Sequence, residues 1–192
     1  GYMEFNKRNI KVFIISGRAN AGKDTTAELI DNYIKLKGMK PVNLQISSYI
    51  KMYAKVISGW NGSEDDKPRS LLQELGTEII RNKIDEKLFI RRIIEDIKVY
   101  SYYFDVVTIS DARLPLELDL IKEAFPSSCR INIIRPNFEN NLNSSEKKHI
   151  TEIGLDNYKN YEYTIINDGS FEELNKKVIK IVDEVLINEE TN

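Results

Sequence analysis

The residues with the clearest chemical potential lie near the start of the chain, in a segment rich in glycine and alanine. Residues 17–25 match the pattern G-x-x-x-x-G-K, with a β-branched run before them and a helical pattern after them. In that context small residues let consecutive backbone N–H groups face one anion, and Lys23 adds a positive charge. The segment therefore predicts a loop that binds nucleotide phosphates. The residues expected to contact them are Gly17, Ala19, Asn20, Ala21, Gly22, Lys23, Asp24 and Thr25.

The loop departs from the usual pattern at the position where a Ser or Thr hydroxyl holds Mg²⁺. Asp24 stands there, and Thr25 follows it. A carboxylate can bind a hard cation directly or through water, but an acid in the first turn of a helix is also favourable by itself. Thr25 offers a hydroxyl instead. The sequence leaves open which of the two residues serves the metal.

A second set of polar residues follows the helical pattern of residues 68–82. Four of them recur at every fourth position: Arg69, Gln73, Thr77 and Arg81. This spacing predicts one slowly turning stripe on a helix. The residues expected to pack inward are Leu71, Leu72, Leu75 and Ile79. Arginine binds phosphate in a bidentate manner and an amide can pair with a base edge, so the stripe suits a nucleoside monophosphate. A solvated helix face would show the same spacing.

The elements that must position these residues alternate between strand and helix. The sequence predicts strands at 11–16, 42–46, 104–110, 130–134 and 161–166, and helices at 23–37, 47–57, 68–82, 85–102, 115–125 and 171–186. Regular alternation predicts a three-layer α/β/α fold with a mostly parallel, five-stranded sheet. Ligands of such sheets bind beyond the carboxyl ends of the strands. Asp111 and Arg135 each follow a predicted strand and therefore belong to the candidate site.

Composition narrows the class of protein. A chain of 192 residues suits one compact domain, and a formal net charge of −2 argues against a general nucleic-acid binder. The single cysteine, Cys129, excludes an intrachain disulfide, and the single histidine, His149, excludes a multi-His metal site. The longest apolar runs, such as residues 12–15, fall far below the roughly 20 residues that cross a bilayer. We therefore expect a cytoplasmic protein that binds neither membranes nor nucleic acids. The sequence does not determine its oligomeric state, and a homodimer is one possibility.

Five segments together make the chain resemble the deoxynucleoside monophosphate kinases of bacteriophages, within the P-loop nucleoside monophosphate kinases. They are residues 17–25, 68–81, 111–119, 149–152 and 165–169. The resemblance implies the P-loop NTPase fold, with one kinase domain over 1–192. Within it, an acceptor-binding helical region lies at about 47–103 and a lid at about 136–150. It also implies phosphorylation of a (deoxy)nucleoside 5′-monophosphate to the diphosphate, with ATP and Mg²⁺ as cofactors.

The resemblance also assigns roles to residues. The expected catalytic residues are Lys23, Asp111, Arg113 and Arg135. The expected acceptor-binding residues are Arg69, Gln73, Thr77, Arg81 and Arg113, and the expected metal-binding residues are Asp24, Thr25 and Asp111. Glu117 completes the family's D-x-R-x-x-x-E pattern and is expected to hold Arg113 in place or to serve as a first-turn acid. Residues 167–169 are expected beside the donor adenine, and His149 at a lid hinge or in packing.

Two other functions fit the same residues. The phosphate loop alone permits a kinase of another small phosphorylated metabolite, such as a phosphomevalonate or dephospho-coenzyme A kinase. A non-catalytic nucleotide-binding protein is the third reading, and Asp24 in place of Ser or Thr favours it. Neither the preferred base nor the choice between ribose and deoxyribose follows from the sequence.

Overall fold

One parallel sheet organises the protein. The computed structural model describes residues 4–136 and 153–190. In chain order the strands are β1 Lys11–Ser16, β2 Pro41–Leu44, β3 Val106–Ile109, β4 Cys129–Ile134 and β5 Tyr163–Ile166. They lie in the order β2-β3-β1-β4-β5, and every pairing is parallel. The predicted five-stranded sheet is confirmed, and its carboxyl ends all meet at one edge.

Helices cover both faces of this sheet. They are α1 Lys23–Leu36, α2 Ser48–Ser58, α3 Arg69–Gln73, α4 Leu88–Tyr100, α5 Pro115–Ala124 and α6 Phe171–Glu190, and a π-helix, Glu74–Ile84, continues α3 directly. None of the helices in the described part of the chain is both long and apolar enough to span a membrane.

Two hydrophobic cores lie on opposite faces of the sheet, as the three-layer prediction requires. All six residues of β1 are buried, and successive side chains enter different cores because side chains alternate along a strand. Phe13 and Ile15 pack with α1 and α6, whereas Val12 and Ile14 pack with α4 and α5. The central strand is therefore fixed on both sides, and so is the loop that follows it.

The π-helix is the largest departure from the predicted elements. The pattern of residues 68–82 predicts one α-helix with Ile79 facing inward; Ile79 is instead 37% exposed, and Ile80 is buried at 4%. Hydrogen bonds from i to i+5 put more residues in each turn than an α-helix has, so the buried face shifts along the sequence. Leu75 is buried as predicted. π-Helical hydrogen bonding is rare in proteins, and where it occurs, mostly as single-turn bulges, it is often found at functional sites.

A buried polar contact between α1 and β3 makes stability depend on pH. The hydroxyl of Thr108 donates to Asp31 at 3.0 Å and accepts from the Asn43 amide at 3.0 Å. Burial raises the pKa of Asp31 from 3.8 to about 6, which outweighs the opposing hydrogen bond from Thr108. Because the pKa is raised on folding, Asp31 stabilises the protein only in its protonated form. Its contribution to the free energy of unfolding is therefore complete below pH 3.8 and is lost as the pH rises towards 6.

Replacing Asp31 with asparagine is therefore expected to stabilise the protein at neutral pH. Asparagine keeps an oxygen for Thr108 and carries no charge to bury. Because Asp31 is only partly buried, we expect a gain of about 1 kcal/mol rather than the full value of the shift. Urea unfolding of both proteins between pH 4 and pH 8 measures it. The gain should grow up to about pH 6 and then stay constant; a gain independent of pH would contradict this explanation.

Candidate active site

The loop between β1 and α1 has the backbone geometry that its glycines predict. A Cβ at Gly17 would lie 2.5 Å from the Ile133 carbonyl oxygen, so no larger residue fits there. Gly22 has a φ of 111°, in the left-handed region that glycine adopts without strain, and Asn20 has a φ of 62°. The loop thus curves tightly over the end of β4 before α1 begins.

Lys23 points back into the curve of this loop. Its side chain is buried, and Nζ donates to the Gly17 carbonyl oxygen at 2.8 Å and to the Arg18 carbonyl oxygen at 3.4 Å. The ammonium group therefore lies among the backbone groups of the loop, at the N-terminus of α1. A positive charge and a helix N-terminus together favour an anion at this place.

A cavity of about 900 Å³ opens beside the loop, within the range of small-ligand sites. On one side it is lined by Lys23, Asp24 and Thr25, and on the other by Arg135 and residues 167–169. The Asn167 amide donates to the Ala21 carbonyl oxygen at 2.9 Å and so holds the two sides together. Six predicted site residues thus share one cavity: Arg135 and five from the loop, namely Asn20, Gly22, Lys23, Asp24 and Thr25.

Phe171 also lines this cavity, and the sequence prediction missed it. Spacing places Phe171 on the apolar face of the last helix together with Leu174. Leu174 is buried at 4%, but Phe171 is 59% exposed at the mouth of the cavity. The helical pattern does not distinguish the two residues. Phe171 is exposed because it is the first residue of α6 and lies beyond the packed part of the apolar face. An exposed aromatic ring beside a nucleotide-sized cavity is suited to contact with a base.

Oxygen ligands suited to Mg²⁺ are present at the loop. Asp24 and Thr25 are both exposed and line the cavity. One oxygen of Asp24, Oδ1, accepts a hydrogen bond from the Ser110 hydroxyl at 2.8 Å, which leaves Oδ2 for a cation. In the described residues no three His, Cys, Asp or Glu side chains form a metal cluster. The oxygen atoms of Asp24 and Thr25 are of the kind that suits Mg²⁺, which typically takes one or two protein oxygens and completes its shell with water and substrate phosphates.

Asp111 is tied to the protein backbone. Its Oδ1 accepts from the Ile46 N–H and its Oδ2 from the Ser47 N–H, each at 2.9 Å. The carboxylate therefore joins the end of β3 to the start of α2. Each oxygen keeps a further lone pair, so these hydrogen bonds are compatible with a role in orienting magnesium. That role stays a prediction.

Arg81 and Glu117 form an ion pair that the sequence did not predict. Arg81 Nη2 lies 3.4 Å from Glu117 Oε2, and the two side chains are only 10% and 4% exposed. Burial raises the pKa of Glu117, and the charge of Arg81 opposes that rise. The expected partner, Arg113, offers its backbone N–H to Oε1 at 2.8 Å. Glu117 therefore holds the backbone at Arg113 and the side chain of Arg81.

Two buried polar atoms beside this pair lack partners. Thr77 Oγ1 and Arg81 Nε have no hydrogen-bond partner among the residues that the structure describes. Buried polar groups are usually paired, so these two atoms are candidates for contact with a polar ligand, as are Ser16 Oγ and Thr26 Oγ1, which also lack a partner among the described residues. Arg69 is exposed, and Gln73 is half-buried. Thr77 and Arg81 thus lie on the same π-helix, each with a buried polar atom that has no partner among the described residues.

The loop and the Arg81 region meet through the end of β3. Asp24 contacts Ser110, and Asp111 follows Ser110 in the chain. Glu117 then links the start of α5 to Arg81. Arg135, for its part, donates to the Asn20 carbonyl oxygen at 3.3 Å. The lid predicted at 136–150 lies, from residue 137 on, outside the described residues, and so do His149 and Glu152.

Solved structures resemble the protein in fold. The APS kinase of Mycobacterium tuberculosis, solved in complex with AMPPNP and APS, has a TM-score of 0.58 at 14% identity; the alignment covers 93% of this chain and 99% of that one. The shikimate kinase of Aquifex aeolicus has a TM-score of 0.51 at 14% identity, with coverage of 93% and 99%. At such low identity these likenesses show a shared fold, that of P-loop kinases.

Sequence relatives are more specific. The deoxynucleotide monophosphate kinase of Escherichia phage RB69 is 28% identical over 166 residues, which cover 83% of this chain and 65% of that protein. The deoxynucleotide monophosphate kinase of Enterobacteria phage T4 is 30% identical over 128 residues, covering 66% and 50%. The chain thus spans one half to two thirds of their lengths. The profile described as "Deoxynucleotide monophosphate kinase" matches residues 39–178, which is most of the chain, and the protein therefore belongs to the deoxynucleotide monophosphate kinase family.

Proposed function

We propose that this protein transfers the γ-phosphoryl group of ATP to a deoxynucleoside 5′-monophosphate and releases the diphosphate. The observation that carries the proposal is the pair of buried, unpartnered atoms at Thr77 and Arg81, in a chain that also has a phosphate loop. A buried guanidinium with a spare donor suits a phosphate, because charge-assisted hydrogen bonds to phosphate are strong. Two anion sites that are linked through β3 are what a phosphoryl transfer between two nucleotides requires.

On the donor side, the loop amides and Lys23 hold the β- and γ-phosphates of ATP. Arg135 lies across the cavity and neutralises charge on the phosphoryl group as it leaves. Residues 167–169 line the same cavity and would border the adenine, which their position in the cavity supports. A bound Mg²⁺ would offset the charge of the phosphates. Asp24 and Thr25 are the residues that would hold it, and Asp111 would orient its waters.

On the acceptor side, Arg81 and Thr77 bind the phosphate of the monophosphate. Arg69 and Arg113 would add positive charge, and Gln73 would pair with the base edge. The acceptor phosphate is already an anion at neutral pH, so no strong base is needed and the protein acts by positioning the reactants and neutralising charge. The predicted lid would keep water out of the reaction.

The choice between Asp24 and Thr25 can be decided by titration with metal. The Asp24→Ala variant is expected to need about tenfold more Mg²⁺ for half-maximal rate, because it removes an anionic ligand. Thr25→Val should then change this requirement less than threefold. Initial rates measured over a range of Mg²⁺ concentrations at saturating ATP give both values. A larger shift for Thr25→Val would assign the ligand to the hydroxyl.

Product formation with Mg·ATP tests the function itself. The acceptor panel contains the four deoxynucleoside monophosphates, the ribonucleoside monophosphates, phosphomevalonate and dephospho-coenzyme A. We expect transfer to at least one deoxynucleoside monophosphate. Transfer only to one of the two other metabolites would overturn the proposal in favour of a metabolite kinase, and ATP binding without transfer to any acceptor would favour a nucleotide sensor.

A further inference from the structure

Glu117 contacts two separate elements with its two carboxylate oxygens. Oε1 accepts from the backbone N–H groups of Arg113 at 2.8 Å and Leu114 at 3.1 Å. Oε2 faces Arg81 Nη2, on the π-helix, at 3.4 Å. The residue is buried at 3% exposure. One side chain therefore spans the loop after β3 and the helix that carries the buried unpartnered atoms.

A helix cap alone does not explain this placement. Glu117 is the third residue of α5, where a glutamate normally reaches back to cap the helix from a solvated position. Here it is buried, and desolvating a carboxylate is costly unless the charge is paired. Arg81 provides that pairing, so the second oxygen has a role beyond capping.

Arg81 is held in a single orientation by this contact. Its guanidinium carbon lies 5.1 Å from the centre of the Phe89 ring, and its Nη2 faces Glu117. The Phe89 ring covers one face of the guanidinium group, and the Glu117 carboxylate lies at its Nη2 end. Arg81 Nε has no hydrogen-bond partner among the described residues. Thr77 Oγ1, four positions earlier, is the other unpartnered atom.

We propose that Glu117 is a positioning residue for phosphoryl transfer, which orients Arg81 so that its Nε, together with Thr77 Oγ1, binds the acceptor phosphate. The inference rests on the proposed function, since it needs a phosphate at Arg81. It predicts that Glu117 controls the affinity for the monophosphate and leaves ATP binding unchanged. Glu117 itself does not touch the substrate in this arrangement.

Glu117→Gln tests the inference because it separates the two contacts. Its amide oxygen can still accept from Arg113 and Leu114, while its NH₂ group faces Arg81 and cannot accept from it. We expect KM for the deoxynucleoside monophosphate to rise about tenfold, as for a lost supporting contact. KM for ATP should stay within twofold, and so should both KM values of Glu123→Gln, an exposed control on the same helix.

A double-mutant cycle with Arg81→Lys distinguishes positioning from a structural role. If Glu117 acts through the guanidinium, Glu117→Gln should raise KM less than threefold in the Arg81→Lys background. An equal loss in both backgrounds, or a fall in Tm with KM unchanged, would overturn the inference. Should Glu117→Gln fail to fold, Glu117→Asp is measured in the same way and should raise the same KM. No transfer by the wild type would overturn the proposed function and this inference with it, whereas an active wild type with an unchanged Glu117→Gln would overturn this inference alone.

Discussion

Replacing Lys23 with alanine is expected to lower kcat by about a thousandfold or more, because it removes the ammonium group that lies among the backbone groups of the phosphate loop. The fold should survive. Lys23 is buried and its Nζ donates to the carbonyl oxygens of Gly17 and Arg18, so its loss also relieves the cost of burying a charge. Initial rates with saturating nucleotides measure the first effect, and circular dichroism with a thermal melt measures the second.

Lys35→Ala is the matched control for this variant. Lys35 lies on the same helix and is exposed. Its replacement should leave kcat within twofold. Near-normal transfer by Lys23→Ala would show that the donor site has been wrongly assigned.

Replacing Arg81 with glutamine is expected to have the second largest effect. A lost charge-assisted contact to phosphate corresponds to about 2 kcal/mol, or roughly a thirtyfold rise in KM for the monophosphate. It also leaves Glu117 buried without its cation, which should cost about 3 kcal/mol of stability. Steady-state kinetics with a varied acceptor and urea unfolding give the two numbers.

Two further variants separate binding from folding at this position. Arg81→Lys keeps a positive charge beside Glu117 but lacks the planar guanidinium group that binds phosphate. Its stability should therefore be close to that of the wild type, while its KM for the monophosphate should stay raised, as in Arg81→Gln. Arg91→Gln removes an arginine that is 65% exposed and should change neither quantity, since surface ion pairs contribute little. An unchanged KM in Arg81→Gln would place the acceptor phosphate elsewhere.

The sheet and the phosphate loop were predictable because their signals are local. A buried strand, a glycine-rich turn and a helix beginning at Lys23 follow each other within one short stretch, and each sets the geometry of the next. The unbroken apolar run of residues 12–15 in β1 likewise predicts burial on both faces of the sheet. Element ends were less predictable: α4 begins at Leu88 rather than at 85 because the Asp85 carboxylate accepts from the Lys87 N–H and forms a turn before the helix.

The acceptor region could be predicted only in part. Spacing grouped Thr77 and Arg81 as candidate acceptor-binding residues, which stays a prediction, but it assumed α-helical geometry, and in the π-helix Ile79 faces outward. The partner of Glu117 could not be found from sequence, because Arg81 and Glu117 are 36 positions apart and meet only through tertiary packing. Phe171 was missed because spacing alone assigns it to the apolar face of the last helix, although it lies at the first residue of that helix, at the mouth of the cavity.

The strand order has a consequence for how the chain folds. β1 lies in the centre of the sheet, and its neighbours β3 and β4 begin at Val106 and Cys129. Since β1 ends at Ser16, a ribosome must add 106 − 16 = 90 residues before the first neighbour emerges. At typical synthesis rates this takes roughly 5 to 20 seconds. Throughout that interval a wholly apolar stretch, residues 12–15, has no sheet to join, and nascent chains are therefore most exposed to aggregation and chaperone capture before β3 is made.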